Sequence, residues 1–381
     1  MKISIEHSKL AEVAKVAAIL GDSGFNFTPE YFLALVQESD DAMRAHFQSG
    51  AIQASMLLPV LSSSIGHQHG VCIPKNETLR FLSAANGETV NMEVSGNTAK
   101  LKAGKSLMKA VTLDIDGFPL PNSEIHCASV IQVSAQSLKA ALSLTNVGSS
   151  SDSLGTYMEY DDGTLYVYTT DGKALLHSGI SASLVSGNPK VEPVSLSMKT
   201  ALPLAKALGH FECEQVQICF NESDVTFRDP GNMWNIRTLK LADIKPVQWE
   251  RLLNSETVAL CSISDSADME SCLDISTSIS NEKKNVVAMS VSKDNTLTMT
   301  LSNDRGESQS AFEVTTHAPY QALTSSLYIY AFLGFCRKHG ENGSIELFKL
   351  NAPSANPLRL SYTGDSRFSS DPTIVIAPYT A

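Results

Sequence analysis

The chain has 381 residues, a formal net charge of −11 and a pI near 5.3, with apolar content enough for the cores of several domains. That acidic balance argues against simple coating of nucleic acid or an anionic membrane surface, and no apolar run reaches membrane-spanning length. The seven cysteines are odd in number and contain no CxxC, and Met1 to Ile5 reads as a strand, not a signal peptide. Reduced thiols and a cytoplasmic location are therefore expected.

In chain order, apolar spacing and good helix formers predict helices at about 7–20, 74–86, 134–146, 197–209 and 319–339. An acidic helix is expected from Ser264, in SDSADMESCLDISTSIS. Between them the sequence repeats itself. A strand pair around a polar turn begins at Tyr31, at Tyr157 (YMEYDDGTLYVYTTDGKALL) and at Val286. A strand, a helix and a further hairpin begin near Val71, Pro193 and Phe312. The period is that of whole domains, with proline-bearing joints at Gly117–Pro121 and Ile244–Val247. Three similar α+β domains follow, at 1–122, 123–252 and 253–381, each mostly antiparallel sheet with about two helices.

The five helices first named hold Lys9, Lys15, Lys75, Arg80, Lys139, Lys199, Lys206, Arg337 and Lys338 against only Glu12 and Glu77. They carry +7, leaving −18 for the rest of the chain. Solvated helix faces are the plain explanation. The sharper one is a basic surface of equivalent helices facing a polyanion, gripping phosphates without reading bases, inside an otherwise acidic exterior. The acidic helix from Ser264 would leave a gap in it.

Several motifs suggest chemistry and fall short. Gly104-Lys105-Ser106 ends like a phosphate-binding loop, but Ala99 stands where its first glycine belongs. Ser106 and Lys109 fit SxxK, a hydrolase reading, without the partner motifs. His67, His69 and Cys72 offer three metal ligands with no evident fourth. Asp171 and His177 lack a nucleophile with an orienting group. No enzyme, cofactor or metal is expected.

TTDGKALL resembles the ATDGHRLA signature in the middle domain of the bacterial sliding clamp, the beta subunit of DNA polymerase III. Ser280 to Lys284 with the hairpin after it is similar to that family's SNEKF segment, and Lys102 to Ser106 through Asp116 to Pro119 to its RSGRSRF…DFP run. IVIAPYTA resembles its closing VVMPMRL, and the matches lie in order along the chain. The resemblance implies a head-to-tail dimeric ring, sheets outside and helices lining a hole that duplex DNA threads. Such a clamp catalyses nothing. It tethers a replicative polymerase, and receives the clamp loader, through short linear peptides.

The resemblance implies a peptide pocket of Leu154, Thr170, Lys173, Leu175, Pro246, Leu252, Val375, Ile376, Ala377 and Pro378. The helix bases would face DNA, and Lys105 and Met108 would meet the stretch around Ile279 of a second subunit. Lys173-Ala174 replaces the family's His-Arg, Ala377 replaces a methionine, and Ser153 to Thr156 replaces a YLNG run. A divergent clamp with an altered peptide preference is expected, of the kind a phage or mobile element carries. The alternative is a scaffold of the same fold that does not encircle DNA.

Overall fold

The computed structural model describes residues 1–21, 28–64, 69–120, 127–145, 155–241, 248–280, 285–339, 343–351, 357–365 and 367–377, with the side chains of 198, 199 and 339 left out. Its helices are α1 (His7–Leu20), α2 (Lys75–Ala84), α3 (Ala135–Leu144), α4 (Met198–Leu208), α5 (Trp249–Leu253), α6 (Ser266–Ser276) and α7 (Ser326–His339). The rest is mainly antiparallel strand, so the protein is α+β.

One order of elements occurs three times: strand, helix, four strands, helix, three strands. The copies start at Lys2, Ser129 and Thr257, and the third adds the two-residue strand Thr315–Thr316. Hairpin chemistry explains the strand pairs. In the second copy Asp162 and Gly163, at φ 42° and 82°, link Asp161 to its partner Thr164. Both turn residues need positive φ, which Asp tolerates and Gly adopts freely.

By contacts the chain forms two compact units. The first comprises 1–135, 184–188 and 203–240; the second 136–183, 189–202 and 241–381. In the first unit, strand Ile52–Ser64 serves two sheets. Its beginning pairs with Trp234–Leu239 and its end with Lys2–Glu6. Beyond Lys2–Glu6 the sheet continues through Thr89–Ser95, Thr98–Ala103 and Ser106–Val111. α1 buries Leu10, Val13, Ala14, Ala17 and Leu20, the i, i+3, i+4, i+7 stripe that made it legible. It packs on α2, where His7 Nε2 meets the Leu82 carbonyl at 3.0 Å.

In the second unit a long sheet runs Lys190–Ser197, Gly155–Asp161, Thr164–Thr170, Ala174–Gly187, Ser370–Ile376, Leu358–Thr363, Ser344–Leu350 and Thr257–Ile263. A four-stranded sheet is ordered Gly306–Glu313, Thr296–Asn303, Val286–Val291, Tyr320–Ser325. α6, N-capped by Asp265 accepting from Ala267 N at 2.8 Å, packs against α7.

One helix boundary differs from expectation. The segment predicted as helix from 319 is strand at Tyr320–Ser325, and α7 begins at Ser326. Pairing of Tyr320–Ser325 with Val286–Val291, remote in sequence, overrides the local apolar pattern. Gly104-Lys105 forms a two-residue turn between paired Ala103 and Ser106, with Gly104 at φ 56°, so this GKS is a hairpin corner and not a phosphate cradle.

Candidate partner-binding and nucleic-acid interfaces

The TTDGKA stretch folds as a tight turn joining Thr164–Thr170 to Ala174–Gly187, because its short polar side chains bond their own backbone. Thr170 Oγ1 donates to the Ala174 carbonyl at 2.7 Å and accepts from Gly172 N at 3.1 Å. Asp171 Oδ1 accepts from the amides of Lys173 and Ala174, each at 2.9 Å. Gly172 sits at φ 81° with open space around it. From outside the turn, the Tyr328 hydroxyl of α7 donates to Asp171 Oδ2 at 2.5 Å.

The C-terminal strand lies beside this turn. Ala174 pairs with Ile376 and Leu175 with Val375, and Ala377 N donates to the Lys173 carbonyl at 2.8 Å. Thr170, Lys173, Leu175, Val375, Ile376 and Ala377 are thus brought together by one strand pair and its turn. Lys173 and Ala377 are exposed; Leu175, Val375 and Ile376 are buried. Leu252, half-buried on α5, packs against the cluster that holds Leu175 and Val375. Leu154, Pro246 and Pro378 lie outside the described residues.

That cluster contains residues the sequence reading passed over: Tyr157, Tyr168, Trp249 and Leu350, with Tyr166 beside them. Tyr157 and Tyr168 stack at 5.1 Å between ring centroids, and Trp249 lies 4.3 Å from the ring of His177. The Trp249 indole N–H donates to Glu159 Oε2 at 3.2 Å. Burial raises the Glu159 carboxyl above its usual range, while the indole bond works the other way. His177 is 1% exposed, and burial, aided by the charge of Arg359, lowers its pKa to about 3. Neither of its ring nitrogens has a hydrogen-bond partner among the described residues, and it packs as a neutral aromatic wall. The i, i+2 spacing of Tyr166 and Tyr168 was the available signal for this cluster.

The helix bases occupy different settings. Lys15 and Arg80 are exposed on α1 and α2, and Lys206 on α4; Lys9 is half-buried beside Glu12 at 4.0 Å, and Lys139 is half-buried on α3. Lys338 is exposed at the end of α7, and its neighbour Arg337 donates to Glu270 of α6 at 2.8 Å, so the acidic helix neutralises part of the positive charge there. The side chain of Lys199 is not described. Lys75 departs from the expectation of a DNA-facing base: it is 1% exposed, and a Cβ on Gly21 would lie 2.1 Å from its Nζ. Opening α2 at the close of the buried strand Gly70–Pro74, it extends into the interior and not over the surface.

Two outer strands flank the residues expected at a subunit contact. Lys105 and Met108 lie at and beyond the turn into Ser106–Val111, which pairs with Thr98–Ala103. Ile279 follows α6, where Ser308 of outer strand Gly306–Glu313 donates to the Ile275 carbonyl at 2.8 Å. Of the suggested metal ligands, His67 lies outside the described residues, Cys72 is buried in a strand, and among the described residues no three His, Cys, Asp or Glu converge.

A thrice-repeated α+β order, with helices backing antiparallel sheets, defines the clamp-type fold of three similar domains. Its solved counterparts are bacterial DNA polymerase III beta subunits. That of Pseudomonas aeruginosa matches with a TM-score of 0.83 at 17% identity, covering 100% of both chains. The Thermotoga maritima subunit gives 0.82 at 13%, and a P. aeruginosa sliding clamp bound to griselimycin gives 0.85 at 16%, again covering 100% of both chains. No protein-family model and no curated protein matches the sequence. The fold is that of the bacterial sliding clamp, carried by a divergent sequence.

Proposed function

We propose that the protein is a DNA polymerase processivity factor, a sliding clamp that closes around duplex DNA as a head-to-tail homodimer and tethers replication proteins. The observation that carries this is the full-length likeness to sliding clamps at a TM-score of 0.83 with the element order repeated three times. Domains at 1–122, 123–252 and 253–381 follow that repeat. The exposed cations Lys15, Arg80, Lys206 and Lys338 suit loose, salt-screened phosphate contacts that hold DNA without fixing a register. The outer strands beside Lys105, Met108 and Ile279 supply edges, unpaired among the described residues, for a second subunit to cover.

The wall formed by the Thr170–Leu175 turn, Leu252 and Val375–Ala377 suits a short peptide, with the half-buried Leu252 and the exposed Ala377 for an apolar side chain and the exposed Lys173 ammonium for a carboxylate. Polymerase and loader peptides are its intended occupants. A non-encircling scaffold is the second reading, favoured by the burial of Lys75 and the pairing of Arg337 with Glu270. Sedimentation with negative-stain imaging separates the two: a closed ring of two subunits supports the clamp, and a monomer at every concentration, with a loader present, refutes it.

A further inference from the structure

The sequence expectation placed free positive charge on helices, yet the hairpin KLKAGKSLMK, residues 100–109, holds four lysines and no acid. In the first unit its two strands extend the sheet built on Lys2–Glu6, and two cross-strand rows line that sheet's exposed face. One row runs Lys2, Glu93, Lys100, Lys109; the other runs Ser62, Ser4, Asn91, Lys102, Leu107.

The short side chains of Ser62, Ser4 and Asn91 leave a groove of about 420 Å³, rimmed by Lys2, Glu93, Lys100 and Lys102 and bounded by Leu107. Leu107 is 58% exposed. Lys2 pairs with Glu93 at 3.4 Å, whereas Lys100, Lys102 and Lys109 have no ion pair among the described residues. Lys100 and Lys109 stand directly opposite each other, an arrangement that works against sheet stability. Glu93, opposite Lys100 and already paired with Lys2, offsets only part of this charge, so the face stays net positive on a chain of charge −11 and attracts an anion.

We propose that this face docks an acidic, extended peptide segment of a partner protein. Its carboxylates pair with Lys100 and Lys102, one apolar side chain lies on Leu107, and the floor hydroxyls and amide bond its backbone. Charge complementarity selects an anion. The exposed leucine favours a peptide, and a lining without any aromatic ring on which a base would stack disfavours a single-stranded nucleic acid. This surface is separate from the turn at Thr170–Leu175.

The test is fluorescence anisotropy of the full chain with a fluorescein-labelled peptide of alternating aspartate and leucine, against Lys100→Ser/Lys102→Ser, Leu107→Ser and Lys173→Glu variants. Binding should weaken about ten-fold in the double lysine variant and with rising salt, weaken in Leu107→Ser, and persist in Lys173→Glu. The substituted positions are exposed, and thermal melting confirms that each variant is folded. Absence of binding to the unaltered chain, or equal binding by the double variant, overturns the proposal. Loss in Lys173→Glu would move the peptide to the other wall. Displacement by a single-stranded oligonucleotide that itself needs Lys100 and Lys102 would make this a nucleic-acid face instead.

Discussion

The Tyr328 hydroxyl donates to Asp171 Oδ2 at 2.5 Å, while the other carboxylate oxygen of Asp171 holds the amides of Lys173 and Ala174. One carboxylate therefore links α7 to the turn that presents Lys173. Tyr328→Phe removes one hydrogen bond to a charged group, worth about 1.5–3 kcal/mol. Faster hydrogen exchange at the Lys173 and Ala174 amides and weaker binding of a polymerase-derived peptide are expected. Unchanged exchange at both amides would show that the turn stands without α7.

Lys173 is exposed and Leu175 is buried, so the two should separate binding from stability. Lys173→Glu should leave the melting temperature within about 1 °C while altering peptide affinity, because surface substitutions seldom move stability. Leu175→Ala should destabilise by about 2–4 kcal/mol through a cavity beside Tyr168 and Trp249. Calorimetry and peptide titration on both variants check this. Truncation distinguishes the same two roles: Ile376 is 1% exposed and paired with both Ala174 and Leu358, so removing it should unravel the end of this inner strand, whereas the exposed Ala377 should be dispensable for folding.

His177 supplies an acid sensitivity. Its folded pKa, about 3, lies below the unfolded value of about 6.5, so below pH 6.5 the unfolded chain binds the extra proton. Its neutral form favours folding fully above pH 6.5, and that contribution is lost as pH falls toward 3, with a limiting slope of about 1.4 kcal/mol per pH unit. The raised carboxyl of Glu159 acts in the opposite sense. His177→Phe should flatten the decline between pH 6.5 and 4 in denaturant titrations; an unchanged slope would mean that the imidazole is already protonated or solvated.

Much of this was legible before the structure. The repeat period, the helix at 7–20 and the hairpin turns follow from local pattern, since Asp-Gly corners and a 3.6-residue stripe need no distant partner. What was not legible depends on non-local contacts. Tyr320–Ser325 becomes strand only through Val286–Val291, Lys75 is interior only because of how α2 meets the end of α1, and Trp249 joins Tyr166 and Tyr168 across about eighty residues of chain. The hydroxyl and carboxylate of the TDG turn, residue types that suggest chemistry, are occupied with their own backbone and with Tyr328.

Glu270 offers a test by gain. It neutralises Arg337 at an exposed pair worth about 0–1 kcal/mol, so Glu270→Gln should cost little stability. The freed guanidinium should strengthen DNA retention and steepen its salt dependence by about one counterion. No change in the slope of log affinity against log salt would place α7 away from DNA.

The central claim is encirclement, and retention on DNA of different topology tests it most directly. With its loader, the protein should remain on nicked circular plasmid through gel filtration and escape once the plasmid is linearised. Charge reversal at Lys15, Arg80 and Lys206 should weaken that retention without preventing dimerisation. Equal retention on linear and circular DNA, or none on either with a closed dimer present, would exclude a ring that slides on the duplex.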